Sequence, residues 1–257
     1  REARHGDRLR PGLALLAPGG RHVVLNWRLD AYEVQLTDGP KVHHQCPAVD
    51  VLFDSAVQAG SSDHTVAALL TGISFQQSND VQVLNCHVEN CAGGGIHPGS
   101  GSQRSVFKGC EVTRNGRDGF FFCWRVRDAL VEGNIFHGNG GVGISIGHKD
   151  SDNFIRGNTV MNNQAGGVYW RREAEPMAGH RNRVVGNKVL DNGKFQLFVD
   201  GETEGTVIGE NRISSKDANA PAIRIGPNAG SVIVEENHIT AEQKVLDERE
   251  QSPATGR

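Results

Sequence analysis

The chain has 257 residues, a formal net charge of −3, 33 glycines, five cysteines and only 6% aromatic residues. A near-balanced charge excludes a global basic field that would recruit nucleic acid. No 18-residue apolar stretch is present, so no membrane span is expected.

Residues 1–71 keep no clean period. Residues 23–25 and 49–53 read as short strands and residues 60–63 as a loop. This segment is expected to form irregular first coils that cap one end of a repeat region.

From about residue 72 a 24-residue self-similarity takes over. Val83-Leu84-Asn85-Cys86-His87-Val88 recurs as Phe107-Lys108-Gly109-Cys110-Glu111-Val112 and as Val131-Glu132-Gly133-Asn134-Ile135-Phe136. Four further copies begin at Ile155, Val184, Ile208 and Val234. Cys91, Asn115, Asn139 and Asn163 are each 24 apart, and Asn192 comes 29 later. Gly119, Gly143 and Gly167 open the apolar runs Phe120-Phe121-Phe122, Ile144-Ser145-Ile146 and Val168-Tyr169-Trp170.

Each period thus holds two or three short β-rich runs separated by Gly and Asn, none long or helically periodic enough for a helix. Sharp corners need left-handed or bridge backbone angles, which Gly and Asn tolerate best. Asn at one place on successive coils can form an amide ladder along the stack. The fold expected is all-β: a single-stranded solenoid of parallel β-helix coils, about 24 residues each, over residues 72–240. Seven coils at about 4.8 Å make a rod roughly 34 Å long. The continuous repeat argues for one domain overall, and the charged residues 241–257 read as a cap or a frayed tail, the tail being favoured.

Cys86, Cys91 and Cys110 occupy ladder positions that later coils fill with Asn. They read as small buried thiols, with a Cys86–Cys110 disulfide as the alternative. No CxxC pair or clustered Cys/His spacing points to zinc.

Stacking also locates a candidate site. With the three glycines in register, His97, Phe121, Ser145, Tyr169 and Phe198 share a column. The next columns are Trp124, His148 and Arg172, then Arg125, Lys149 and Glu173, with Asp150, Asp152, Arg171 and Glu175 just beyond. Trp170 faces either this patch or the core. Five extra residues between Asn163 and Asn192 form a loop around residues 171–180 that walls the patch and delivers Glu175, His180 or Arg181. Aromatic faces beside cations and carboxylates along an elongated surface suit a chain of acidic sugars, because Arg offers a bidentate fork to a uronate carboxylate. The catalytic candidates are His148, Lys149, His97, Tyr169, Asp150 and Glu173. The substrate-binding candidates are Trp124, Arg125, Arg171, Arg172, Glu175 and His180.

The coil pattern from Gly72 to Ile239 resembles the right-handed parallel β-helix superfamily of pectate lyases, polygalacturonases, alginate lyases and epimerases, and phage tailspikes. The resemblance implies the right-handed sense, a secreted or periplasmic location, and a polysaccharide or oligosaccharide as partner. Gly141-Val142-Gly143-Ile144-Ser145-Ile146-Gly147-His148 is similar to the polygalacturonase stretch Gly-His-Gly-Ile-Ser-Ile-Gly-Ser, with Val142 standing where that family has its catalytic His. The family's carboxylate motifs, the epimerase Asp-Pro-His motif and the pectate lyase Arg-x-Pro-x-x-Arg motif are absent.

Three functions compete on this reading. A polysaccharide lyase needs a cation at the uronate carboxylate and a base for the adjacent proton. Arg125, Arg171 or Arg172 would supply the cation, Lys149 or His148 the base, and His97 or Tyr169 the returning proton. No cofactor is required, although calcium on Asp150 and Asp152 is an option for the cation. A glycoside hydrolase would instead pair carboxylates from Asp118, Asp150, Asp152, Glu173 and Glu175. The third function is a non-enzymatic carbohydrate-binding rod.

Overall fold

The computed structural model describes residues 71–249, together with the backbone of Val23–Leu25 and Arg28–Leu29. Every coil visits three parallel sheets in turn, and among the described residues each sheet holds eight strands. One coil runs Leu130–Glu132 in the first sheet, Ile135–His137 in the second and Val142–Ile146 in the third. The next coil repeats it as Phe154–Arg156, Thr159–Met161 and Gly166–Trp170.

The register tracks the sequence repeat. Val131 stacks between Phe107 and Ile155, Phe136 between Val112 and Val160, and Ile144 between Phe120 and Val168. All nine of these side chains are wholly buried. Three such inward columns, one per sheet, fill the rod, each side chain contributing on the order of 1.5–3 kcal/mol by leaving water. Trp170 belongs to this core and not to the outer face.

Asparagine ladders close the corners. Asn158 Oδ1 accepts the backbone N–H and the Nδ2–H of Asn134, both at 2.9 Å. Asn158 Nδ2 donates to Val131 O and to Asn187 Oδ1, again at 2.9 Å. The run continues through Asn211 to Asn237. A parallel ladder runs Asn115, Asn139, Asn163, Asn192 and ends where Gln196 Oε1 accepts both bonds from Asn192. A third joins Asn153 to Asn182. The residue before the first ladder sits at positive φ on each coil, and Gly133 (φ 64°) and Gly157 (φ 63°) are there because L side chains resist that conformation.

At the corner leaving the third sheet, Asp150 takes the ladder place. Its Oδ1 accepts from Val126 N at 2.9 Å and its Oδ2 from Gly147 N at 3.2 Å.

Ladder spacing jumps from 24 to 29 where expected. Trp170 still pairs with Ile146 at 24, whereas Arg183 pairs with Phe154 at 29, so the five extra residues lie between them. Two expectations change. Val245–Asp247 is not frayed; it pairs in parallel with Ile223–Ile225, held by Arg224–Glu248 and Arg249–Asp247 ion pairs. Cys86 and Cys110 are buried thiols as expected, not joined by a disulfide, whereas Cys91, expected as a thiol, is disulfide-bonded. Of residues 1–71, only the backbone of Val23–Leu25 and Arg28–Leu29 is described besides Thr71; these strands pair with Gln82–Leu84 and His87–Glu89. The strand expected at 49–53 and the loop at 60–63 lie outside the described residues.

Asn158→Ala would strand two backbone groups and two neighbouring amides at once, so we expect it to cost about 2–4 kcal/mol in urea unfolding. A loss below about 1 kcal/mol would show that the ladder is not a source of stability.

Asp150 is wholly buried, and desolvation lifts its pKa from 3.8 to about 7 despite Arg171 and the two backbone donors. The folded state therefore holds this proton more tightly than the unfolded chain. Its contribution to stability is full below the unfolded value and is lost as pH rises through about 7. Relative to Asp150→Asn, the native chain should lose up to about 4 kcal/mol between acid and neutral pH. Thermal unfolding of both proteins across that range tests this, and a pH-invariant difference would contradict it.

Candidate functional site

The outward column of the third sheet forms as the repeat predicts. Phe121, Ser145, Tyr169 and Phe198 stack in register, with His97 one coil earlier and Arg224 one coil later. Arg125 N donates to His148 O at 2.9 Å, which sets Trp124 beside His148 and Arg125 beside Lys149 on adjacent coils. All four of these residues have φ between 48° and 66°. The coil before has Ser100 and Gly101 there (φ 47° and 84°), so the corner demands two left-handed residues in succession. Placing Trp, Arg, His and Lys in that conformation costs of order 1 kcal/mol each where Gly would cost nothing. A strained corner that nonetheless presents large polar and aromatic groups points to those side chains having a use.

The extension to Arg172 and Glu173 does not hold. Lys149 N donates instead to Met177 O at 2.7 Å, because the insertion begins just after Trp170. The chain turns sharply, Glu173 N donating to Arg171 O at 2.7 Å, and swings Glu173 back toward His148. The loop therefore delivers Glu173 to the patch. Glu175 and His180 pair with each other at 3.0 Å, and His180 Nδ1 also accepts from Glu204 N. Arg181 is taken by Asp152 at 2.6 Å.

Arg171 is the hub. Nη1 donates to Ser145 Oγ at 2.8 Å and Nη2 to Phe122 O at 2.9 Å, with Asp150 Oδ2 at 3.4 Å and Glu173 Oε1 at 3.6 Å. Its guanidinium lies over the Phe121 ring at 4.3 Å. Gly147 makes room, since a Cβ there would fall 2.7 Å from Arg171 Nε.

His148 sits on this hub. Its Nε2 is 2.9 Å from Glu173 Oε1, its Nδ1 3.3 Å from Arg171 Nη2, and Cys123 Sγ lies 3.8 Å from the same Nδ1. The Trp124 indole is tilted over it at 6.0 Å between centroids and is 40% exposed.

The sequence candidates thus divide. His148, Glu173, Arg171, Asp150 and Trp124 form one cluster, but Asp150 is out of solvent reach and acts as a corner acceptor. Arg125 and Arg172 are exposed and Lys149 half-buried, and among the described residues none of the three makes an ion pair. His97 is buried edge-on to Phe121 at 5.3 Å. Tyr169 donates to Asp200 Oδ2 at 2.9 Å, and burial with that bond pushes its hydroxyl up to about 12. Asp118 accepts from Val142 N at 2.9 Å and is shifted upward by burial. No group of three or more His, Cys, Asp or Glu among the described residues is arranged to hold a metal. Cys123 had no ladder or motif signal in the sequence; only its place beside Trp124 marked it.

Two family models match the chain. One, described as the right handed beta helix region, covers residues 55–176; the other, the CheB methylesterase, covers residues 1–83. Protein-glutamate methylesterase/protein-glutamine glutaminase 2 of Dechloromonas aromatica (strain RCB) is 45% identical over 73 residues, which is 28% of this chain and 20% of that protein. The chain therefore spans about a fifth of the length of the curated relatives it matches. The loss of the 24-residue period before residue 72 is the trace this segment left in the sequence.

Among solved structures, the Dettilon tailspike protein superposes with a TM-score of 0.59 at 13% identity, over 88% of this chain and 41% of that one. A mutant of the periplasmic alginate epimerase AlgG gives 0.52 at 16%, over 69% and 47%. Pectate lyase Pel9A gives 0.50 at 18%, over 75% and 70%. At these identities the likeness shows the fold. With three parallel sheets visited in turn by every coil, residues 73–247 form a right-handed parallel β-helix, in keeping with the family model that matches residues 55–176.

Proposed function

We propose that the β-helix acts on an acidic polysaccharide laid along its third sheet, and that the reaction is β-elimination at a uronate. The observation that supports this most is the exposed Trp124 beside Arg125 and Lys149, with Arg172 on the adjoining loop, three cations without ion-pair partners among the described residues. An indole face packs against a sugar ring while cations draw the uronate carboxylate. The tailspike, epimerase and pectate lyase named above share the fold, which adds a prior for glycan substrates and nothing about residues.

In this reading Arg125 and Arg172 neutralise the carboxylate, so that the adjacent carbon proton is easier to remove. Lys149 takes that proton. His148 is less suited, because both ring nitrogens face inward to Glu173, Arg171 and Cys123. Tyr169, held protonated, returns a proton to the leaving oxygen. Hydrolysis by two carboxylates is less favoured, since the acids near this face are each engaged: Glu173 by His148 and Arg171, Asp152 by Arg181, Glu175 by His180. A secreted or periplasmic location fits such a substrate.

The test is ultraviolet absorbance of an unsaturated uronate from a panel of acidic polysaccharides. We expect that absorbance to rise with time on at least one acidic polymer of the panel. Lys149→Ala should lower kcat by about 10²-fold or more, and Trp124→Ala should raise KM roughly 10-fold. New reducing ends without that absorbance would favour hydrolysis, and binding without product a carbohydrate-binding rod.

A second reading rests on the 45% identity over 73 residues to a protein-glutamate methylesterase. Methanol release from a glutamyl methyl ester peptide tests it, and no release would set this reading aside.

A further inference from the structure

We propose that Cys123, His148 and Glu173 form a thiol acyl-transfer site that cleaves small acyl esters. The acyl groups meant are those carried as O-substituents on the sugar chain, and that part of the inference rests on the glycan reading above.

The geometry is that of an ordered relay. Glu173 Oε1 lies 2.9 Å from His148 Nε2. An ionised carboxylate can only accept, so the proton is on Nε2 and the lone pair is on Nδ1. Nδ1 faces Cys123 Sγ at 3.8 Å, within reach of a sulfur hydrogen bond, and Cys123 is a free thiol. Nucleophile, base and orienting acid stand in line, as nucleophilic catalysis requires. Arg171 Nη2 also approaches Nδ1 at 3.3 Å, but its shorter bond is to Phe122 O at 2.9 Å. Its guanidinium supplies positive charge beside the thiol for the anion that forms on attack.

Three different coils contribute. Cys123 ends the run after Phe122, His148 stands at the next left-handed corner, and Glu173 comes from the five-residue insertion that breaks the period. A solenoid with an unbroken 24-residue repeat would leave that place without the acid.

Access selects the substrate. Cys123 is 5% exposed, whereas Trp124 beside it is 40% exposed. A polymer backbone cannot reach the sulfur, but a short acyl group hanging from a sugar packed on Trp124 can. Burial, with the nearby Asp150 carboxylate, pushes the thiol up to about 12, so the resting sulfur carries its proton. The proton therefore moves only as the carbon–sulfur bond forms.

The steps balance without a co-reactant other than water. Sγ bonds to the ester carbonyl carbon as its proton passes to His148 Nδ1. The carbon–oxygen bond to the sugar breaks, and the sugar oxygen leaves as a hydroxyl with that proton. Water then attacks the thioester and gives a proton to Nδ1. The carbon–sulfur bond breaks, Sγ takes the proton back, and the free acid departs.

The experiment uses p-nitrophenyl acetate and an O-acetylated acidic polysaccharide on the whole chain. With the small ester we expect a nitrophenol burst and an acetyl adduct mapped to Cys123, with Cys86 and Cys110 unmodified as internal controls. Cys123→Ala should abolish the burst and Glu173→Gln slow it roughly 10²-fold. Cys123→Ser serves if the alanine variant does not fold, and the adduct on the native chain needs no variant. Absence of an adduct, or equal modification of Cys86 and Cys110, would overturn the thiol site. An adduct from the small ester without acetate from the polysaccharide would keep the thiol site and count against the glycan reading. Acetate release that survives in Lys149→Ala but not in Cys123→Ala would separate this chemistry from elimination.

Discussion

The asparagine ladder is the constraint on which the rest of this molecule depends. A solenoid corner turns the backbone away from its own sheet and leaves N–H and C=O groups with no strand to meet them. Each ladder Asn answers this by accepting from the coil before and donating both to the next amide and to a carbonyl a strand away, as Asn158 does between Asn134 and Asn187. A buried amide with every valence filled is rigid, whereas the same amide half-satisfied would be a penalty. Because the ladder admits one residue per coil at one height, it fixes the rise and the register together. Outward side chains twenty-four residues apart are then held one strand spacing apart.

That rigidity makes the candidate site affordable. Arg171, Asp150, Asp118, Glu173 and His148 crowd one corner, and Asp150 is fully buried. Removing water from such a set costs several kcal/mol per ion unless geometry returns it. Here the geometry is supplied by neighbours the ladders hold still: Ser145 Oγ, Phe122 O and the Gly147 and Val126 amides. Arg171 is pinned between the Phe121 ring and the Cα of Gly147, so its planar fork points one way. The guanidinium balances the carboxylates inside, which leaves Arg125, Lys149 and Arg172 outside with no ion pair among the described residues.

The same physics decides how much of this was legible in the sequence. Whatever is set by the period could be read: the inward columns, the amide ladders, the stack of His97, Phe121, Ser145, Tyr169 and Phe198, and the position of the insertion. What escaped is what departs from the period. Arg172 and Glu173 were assigned to columns by counting in twenty-fours across a stretch where the count fails, and Glu173 in fact turns back to His148. The pairing of Tyr169 with Asp200 spans the same insertion. Residues 1–71 have no period to read, and their likeness to methylesterases is visible only by comparison. Cys123 differs again: a single thiol has no pattern, and its meaning depends on a distance to His148 that only the folded coil supplies.

The two chemistries suggested for this edge draw on different parts of it, for a physical reason. Groups that titrate or attack within the cluster are shielded by burial and committed to one another, so they suit a small acyl substituent that can enter. Arg125 and Arg172, outside the cluster, are exposed, so they suit a long charged polymer that cannot enter. Trp124 belongs to both, tilted against His148 and 40% exposed to solvent. A left-handed corner at Trp124 and Arg125 is what permits this, because it sets the exposed indole directly after the buried thiol.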